Sequence, residues 1–393
     1  MTIKKLHKDT LSVRGGLNRT NFDETSEALF LNSGYVYECA EDAAAAFSGD
    51  LDRFVYSRFG NPTTKILEER LALLEGGEAS LITGTGMAAM FMSVASTLKA
   101  GDRIVASRAL FGACYAVIDQ ILPRWGIERE FVDGADLQQW EQALARPANI
   151  VFMESPSNPN LELVDIRAVA DMAHAAGAMV VVDNVFATQT GQSPIELGAD
   201  VVMYSLTKNH DGHGRVMGGA LIGREEFIRG DLLKFYRTTG ATISPFNAWV
   251  ILKSLESMNL RIERQSENAR KIAEVLSQHP MVEDLRYPHH PSHPQYELAK
   301  TQMKHGGPIV AFSVKGGKPA AFKFLNALTL MDISNNLGDA KTLACHPATT
   351  THSSLSDDER QEMGISAGAI RCSMGLEHID DLISDITNAL NQV

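Results

Sequence analysis

Between about residues 79 and 223 the chain alternates short apolar runs with longer stretches of helical periodicity. The runs read "ASLIT", "RIVAS", "REFVD", "NIVFMES", "AMVVVDN", "DVVMYSL" and "GALIG". Unbroken apolar runs of this length suit strands covered on both faces, and the helical stretches between most of them suit parallel crossovers. The pattern predicts an α/β domain on a mostly parallel sheet of about seven strands, with helices on both sides. Ligands of such sheets bind beyond the carboxyl ends of the strands. Polar clusters close several of these runs: Thr83 to Met87, Glu154 to Pro159, Asp183, and Ser205 to Lys208.

The rhythm changes on either side. Residues 21–64, "NFDETSEALFLNSGYVYECAEDAAAAFSGDLDRFVYSRFGNPTT", lack a strand–helix alternation. They predict an extended arm that ends at a turn around Asn61-Pro62 and reaches across a subunit boundary, since alone it buries too little. A helical run near 245–280 leads to "GGPIVAFSV", "AIRCSMG" and an amphipathic helix from about His378, which together predict a smaller α+β domain. The expected division is an arm over 1–62, a ligand-binding α/β domain over 63–255 and the smaller domain over 256–393. The segment "PHHPSHP", residues 288–294, predicts a surface turn. It lacks nearby carboxylates or thiols, so a metal site is not expected there.

Composition narrows the class. With 44% hydrophobic and 21% charged residues in 393, the chain has the balance of a soluble globular protein large enough for two or three folding units. No apolar run approaches the roughly 18 residues of a membrane span. The start, "MTIKKLHKDTLSVRGG", has no apolar block of the kind a secretory leader carries. A net charge of −12 argues against nucleic acid as a partner. Cys39, Cys114, Cys345 and Cys372 are scattered without paired spacing, which fits a reducing cytoplasm.

Three motifs carry chemistry. "TGTGMAAM", residues 83–90, follows a strand and opens a helix. Amides at a helix start suit a phosphate, so Gly86 and Met87 are candidate phosphate binders. A tight packing turn or a dinucleotide fingerprint also fits the spacing. The fingerprint expects an acidic residue closing the next strand. Here Asp102 precedes that strand, and Ser107 and Arg108 follow it. "VVVDNVF" ends a very apolar strand on Asp183, either to cap the next helix or to pair with a protonated ring nitrogen. In "YSLTK", Ser205 and Thr207 can donate to phosphate oxygens and Lys208 can form an imine with an aldehyde; alone, such a lysine is usually a solvated surface residue. A phosphate cradle, a ring-nitrogen carboxylate and an imine-forming amine at the strand ends of one sheet meet the demands of pyridoxal 5'-phosphate.

The stretches "YSRFGNPT", "GTGMAA", "ESPSNP", "VVDNVFAT", "SLTKNHDGHGRVMGG", "NNLGDAKTL" and "HPATTTH" make the chain resemble the cystathionine γ-synthase family over nearly its whole length. These are pyridoxal-phosphate enzymes of cysteine and methionine metabolism. The resemblance implies fold type I, the aspartate-aminotransferase-like fold. It implies that Lys208 holds the cofactor covalently, that Asp183 pairs with its pyridinium, and that Gly86, Met87, Ser205 and Thr207 bind its phosphate. Phe111 would stack on the ring and Asn158 would meet the ring hydroxyl. Arg371 would grip the substrate carboxylate, helped by Asn158 and the backbone near Asn336. Tyr56 and Arg58 would reach the phosphate of a neighbouring subunit, with Tyr56 also touching substrate and serving catalysis. A homotetramer, a dimer of dimers with shared sites, follows from the resemblance.

Within the family, "SEALFLNSGYVY", "RALFGACY" and "ISNNLGDAKTLACHPATTTH" most resemble the O-succinylhomoserine sulfhydrylases. These exchange the succinate of an amino-acid ester for sulfide by γ-replacement. Cystathionine γ-synthase, O-acetylhomoserine sulfhydrylase and the cystathionine or methionine γ-lyases are the alternatives, and a cofactor-retaining regulatory protein is the non-catalytic one. Several residues depart from the common pattern. Phe111 stands where many members carry tyrosine, and Val185 where threonine is common. Gln189 stands where proline is usual, and Leu206, Asn209 and His210 are unusual around the lysine.

Overall fold

The computed structural model describes residues 6–353 and 355–393; residues 1–5, the beginning of the stretch expected to lack a secretory leader, lie outside them. All seven apolar runs form strands: β1 (Ala79–Thr83), β2 (Arg103–Ser107), β3 (Glu128–Val132), β4 (Ile150–Glu154), β5 (Met179–Asp183), β6 (Val201–Ser205) and β7 (Gly219–Gly223). They make one sheet in the order β1-β7-β6-β5-β4-β2-β3. The ladders linking β3, β2, β4, β5 and β6 are parallel, whereas β7 runs antiparallel to both its neighbours. The link from β6 to β7, residues 206–218, contains no helix. Without a crossover helix the chain turns back beside the strand it has just left.

Period-two alternation fills both faces of this sheet. Val105, Val151, Val180, Val182, Val202 and Ile222 face one core, while their neighbours Ile104, Ala106, Ile150, Val181, Val201 and Leu221 face the other. Each such aliphatic burial stabilises the sheet by roughly 1.5–3 kcal/mol against exposure. A layer held from both sides in this way gives its strand ends fixed positions.

The second sheet contains β8 (Val282–Arg286), β9 (Ile309–Val314), β10 (Asp332–Ile333), β11 (Leu343–Cys345) and β12 (Ala369–Ser373), in the order β10-β11-β12-β9-β8. The helix Met258–Gln278 joins the two cores: Met258 and Ile262 pack in the large one, Ile272 and Leu276 in the small one. The helix Ile379–Leu390 closes the fold, capped by His378, whose ring accepts from the amide of Asp380 at 3.3 Å. None of the described helices is long and apolar enough to cross a membrane.

Three sequence expectations need correction. Asn61-Pro62 is the start of a helix, Pro62–Glu75, rather than a turn. The Asn61 side chain accepts from the amide of Thr63 at 2.9 Å, and Pro62 takes the first helical position, where a missing N–H costs nothing. The stretch before it, expected to be extended from residue 21 onward, also contains a helix, Ala40–Ser48, which buries no side chain in the single chain. The histidine-rich turn is only partly at the surface. His293 is buried, with Nε2 3.1 Å from the carbonyl of Leu161 and Nδ1 accepting from the amide of Gln295.

Candidate active site

Loops at the carboxyl ends of β1, β2, β4, β5 and β6, together with β12 and the β10–β11 loop of the small sheet, carry the candidate residues other than Tyr56 and Arg58. After β1, Thr85 caps the helix Gly86–Ala95, its hydroxyl accepting from the amide of Ala88 at 3.0 Å. Gly86 lies hard against the end of β6: a Cβ there would sit 2.7 Å from Cβ and 2.8 Å from Oγ of Ser205. Only glycine lets the helix start and Ser205 close together, and this brings the amides at Gly86 and Met87 beside that hydroxyl. The hydroxyl of Thr207 is turned toward Gly218, donating to its carbonyl at 3.3 Å and accepting from its amide at 3.1 Å.

Lys208 sits in the turn after β6, its amide donating to the carbonyl of Ser205 and its carbonyl accepting from the amide of Gly212. Its Nζ donates to Oδ1 of Asn336 at 2.6 Å. The loop carrying Asn336 can come this near because of Gly338, which has φ +75° and lies where a Cβ would be 2.6 Å from the nitrogen of Asn209. Burial, and next the charge of Arg371, lower the pKa of the Lys208 amine to about 8.

Asp183 closes β5, buried, with Oδ1 accepting from the amide of Val185 at 3.0 Å. Burial raises its pKa to about 7. Its register partner on β4 is Glu154. Burial, and then the neighbouring Asp183, push the Glu154 carboxyl well above the usual carboxylate range. Glu154 accepts from the amide of Phe111 at 2.6 Å and from that of Asn158 at 2.8 Å.

Arg371 comes from β12 of the small sheet and is buried. Nη1 donates to Oδ1 of Asn158 at 3.0 Å, and Nη2 donates to the carbonyls of Asn335 at 2.9 Å and Asn336 at 3.2 Å. Its buried Nε has no partner among the described residues. His352 lies close by, fully buried, and burial followed by the Arg371 charge lowers its pKa to about 4.

One assembly therefore gathers Lys208, Asn336, Arg371, Asn158 and Phe111 through direct hydrogen bonds and the carboxylate of Glu154. Asp183 joins it through its strand register, and Gly86 and Ser205 touch one another. Tyr56 and Arg58 stand apart within one chain. Tyr56 is 43% exposed. Arg58 donates to the carbonyl of Arg237, and its guanidinium lies 4.6 Å from the ring centre of Phe59 and 5.7 Å from that of Tyr56.

Glu154, Asn335 and His352 received no role from the sequence. For Glu154 the signal was present, since it closes a fully apolar strand just as Asp183 does. Asn335 acts through a carbonyl, which carries no sequence signature.

The chain matches the family model described as "Cys/Met metabolism PLP-dependent enzyme" over residues 9–391. It belongs to this family. It is 53% identical over 386 residues to an O-succinylhomoserine sulfhydrylase of Mycobacterium tuberculosis, covering 97% of this chain and 95% of that protein. It is 46% identical to one of Pseudomonas aeruginosa, covering 97% and 94%. A methionine γ-lyase of Pseudomonas putida is 41% identical, covering 92% and 91%. Among solved structures, cystathionine γ-synthase of Xanthomonas oryzae superposes with a TM-score of 0.93 at 32% identity, covering 98% of each chain. A chain from Campylobacter jejuni that carries N'-pyridoxyl-lysine-5'-monophosphate superposes with a TM-score of 0.94 at 32% identity, covering 98% of this chain and 100% of that one. The fold is thus fold type I, and the enzyme depends on pyridoxal phosphate.

The residues present fit that group. Among the described residues Lys208, Asp183 and Arg371 form no ion pair, although all three are half-buried or buried. An unpaired acid and unpaired cations are costly unless a ligand completes them. A cationic ring nitrogen, an aldehyde and a carboxylate are groups that would complete them.

Proposed function

We propose that this enzyme is an O-succinylhomoserine sulfhydrylase, converting O-succinylhomoserine and hydrogen sulfide to homocysteine and succinate for methionine biosynthesis. The observation carrying the site chemistry is Arg371, a buried guanidinium that meets only neutral oxygens and has one nitrogen unused. Such a fork suits a planar carboxylate, and an α-amino acid brings one. The choice of succinyl ester and sulfide rests on the similarity to the two sulfhydrylases.

In this proposal Arg371, Asn158 and the backbone at Asn336 hold the substrate carboxylate, so that the Cα proton faces Lys208. Pyridoxal phosphate supplies an electron sink for the charge left at Cα when that proton departs. Lys208 takes the proton from Cα, hands it on so that its amine is neutral again, and then takes one from Cβ, its flexible stem and lowered pKa suiting these transfers. Asp183 would keep a ring nitrogen protonated, Phe111 would stack on the ring, Asn158 would also meet the ring hydroxyl, and Gly86, Met87, Ser205 and Thr207 would take the phosphate. Succinate leaves as a stable anion and needs little acid help, which suits Phe111, a side chain with no proton to give.

Tyr56 and Arg58 are assigned to the site of a neighbouring subunit in a homotetramer. Exposed apolar side chains along the arm, with Phe22 83% and Val36 88% exposed, support partner contacts there. The division into an arm to residue 62, a cofactor domain to 255 and a smaller domain beyond, and a cytoplasmic location, belong to the same proposal.

Purified enzyme given succinyl-, acetyl- and phosphohomoserine, each with sulfide, cysteine or no nucleophile, tests the reaction. Homocysteine formed fastest from the succinyl ester and sulfide supports it. Preference for cysteine makes the enzyme a cystathionine γ-synthase, and ketobutyrate without nucleophile makes it a γ-lyase.

A further inference from the structure

Glu154 is costly where it stands. It is 4% exposed and beside a second buried acid, Asp183, its register partner in the parallel β4–β5 ladder. Residues in register on neighbouring strands leave the same face of a sheet, so the two carboxyls share one side. Buried like charges repel, and a glutamine of the same shape avoids that repulsion; against it, the amides of Phe111 and Asn158 and the charge of Arg371 favour the ionised carboxylate.

What the carboxylate does there is specific. Both of its oxygens accept from main-chain amides, Oε2 from Phe111 and Oε1 from Asn158. Phe111 directly precedes the short helix Gly112–Ala116, and its ring packs at the edge of the core on that side of the sheet. Asn158 passes the connection onward, since its Oδ1 receives Nη1 of Arg371 at 3.0 Å. A single side chain thus ties the strand β4 to an aromatic wall on one side and to the anion-binding guanidinium on the other. Glutamine cannot replace it. An amide offers one oxygen, and its NH2 would face a main-chain N–H, so one anchor is lost and donor meets donor.

We propose that Glu154 is a positioning residue that sets Phe111 and Asn158–Arg371 in one register, so that ring stacking and carboxylate binding depend on the same side chain. This rests on the pyridoxal-phosphate site proposed above. It concerns the protein's own walls, since both carboxylate oxygens are taken by main-chain amides.

The test uses Glu154→Gln holoenzyme. Three quantities are measured: thermal midpoint, visible circular dichroism per bound cofactor, and KM for O-succinylhomoserine. Charge-assisted hydrogen bonds to buried carboxylates are strong enough that losing one predicts roughly a tenfold rise in KM. The visible dichroism per cofactor should fall at least about twofold in the same variant as the ring loses its fixed wall. A fold-stabilising role alone would lower the thermal midpoint and leave both other readouts unmoved. That outcome, or movement of only one of them, overturns the proposal. Should the glutamine variant not fold, Glu154→Asp is read identically, because the shorter carboxylate cannot reach both amides. Wild-type enzyme that retains no pyridoxyl group on Lys208 after borohydride reduction overturns the site assignment itself. A correctly labelled wild type with an unresponsive folded variant overturns only the role of Glu154.

Discussion

The amine of Lys208 donates to the side-chain oxygen of Asn336 across 2.6 Å, joining the large sheet to a loop of the small one. The same Asn336 turns its main-chain carbonyl to Arg371, so one residue sets the spacing between the amine and the guanidinium. Removing the side chain in Asn336→Ala should leave cofactor binding in place while lowering kcat about tenfold, the scale of one hydrogen bond to a charged group. Steady-state assays with absorbance quantification of bound cofactor check this.

Burial, and then Arg371, bring the Lys208 pKa down to about 8. An amine reacts with an aldehyde only when neutral, so the rate of covalent capture by cofactor-free enzyme should rise with pH and level off above about 8. Arg371→Ala removes a repelling charge and should move that midpoint upward. Stopped-flow capture of pyridoxal phosphate over a pH series reads both effects.

For Asp183 the sign runs the other way. Its pKa in the cofactor-free fold is raised to about 7 by burial, above the ordinary 3.8. The fold therefore holds more protons than the unfolded chain between those values, and stability of the cofactor-free protein falls as pH rises through that window. Glu154 and Glu75 are shifted in the same direction, so the comparison needs a variant. Thermal midpoints of cofactor-free Asp183→Asn should lose less between pH 5 and 8 than wild type, while its holoenzyme loses most activity.

Arg371→Lys keeps the charge but not the planar fork, which here makes three hydrogen bonds to neutral oxygens. KM for the ester should rise by roughly 100-fold, with a smaller fall in kcat, because the loss is mainly one of binding.

Phe111→Tyr places a phenol where the wild type has none. The ratio of γ-elimination from cystathionine to replacement on O-succinylhomoserine should increase. An unchanged ratio in steady-state assays would discard the idea that this position tunes the leaving group.

Arg58 contacts the carbonyl of Arg237 and the Phe59 ring within its own chain. With a site shared between subunits, Arg58→Ala and Lys208→Ala homomers should both be poor enzymes, and mixed oligomers should recover part of the activity. No recovery after verified subunit exchange counts against sharing.

Much of this was legible in the sequence because both sheet faces are buried. Continuous apolar runs such as "VVVDN" and "DVVMYSL" marked strands, and the polar residues closing them marked the site edge. Asn61-Pro62 misled because asparagine followed by proline serves a turn and a helix start equally well. The unusual Gln189 and His210 looked like separate departures around the lysine. In the fold they are partners, Nε2 of His210 lying 3.0 Å from Oε1 of Gln189, both buried. Contacts across 21 residues of sequence leave no local pattern to read. The same holds for Arg371, whose meeting with Asn158 needs the two sheets assembled.

The central claim is that Lys208 binds the cofactor covalently. Borohydride reduction of the purified holoenzyme, followed by proteolysis and mass spectrometry, tests it most directly. The account predicts one pyridoxyl phosphate adduct per chain, on the peptide containing Lys208. No adduct, or an adduct on another lysine, contradicts it.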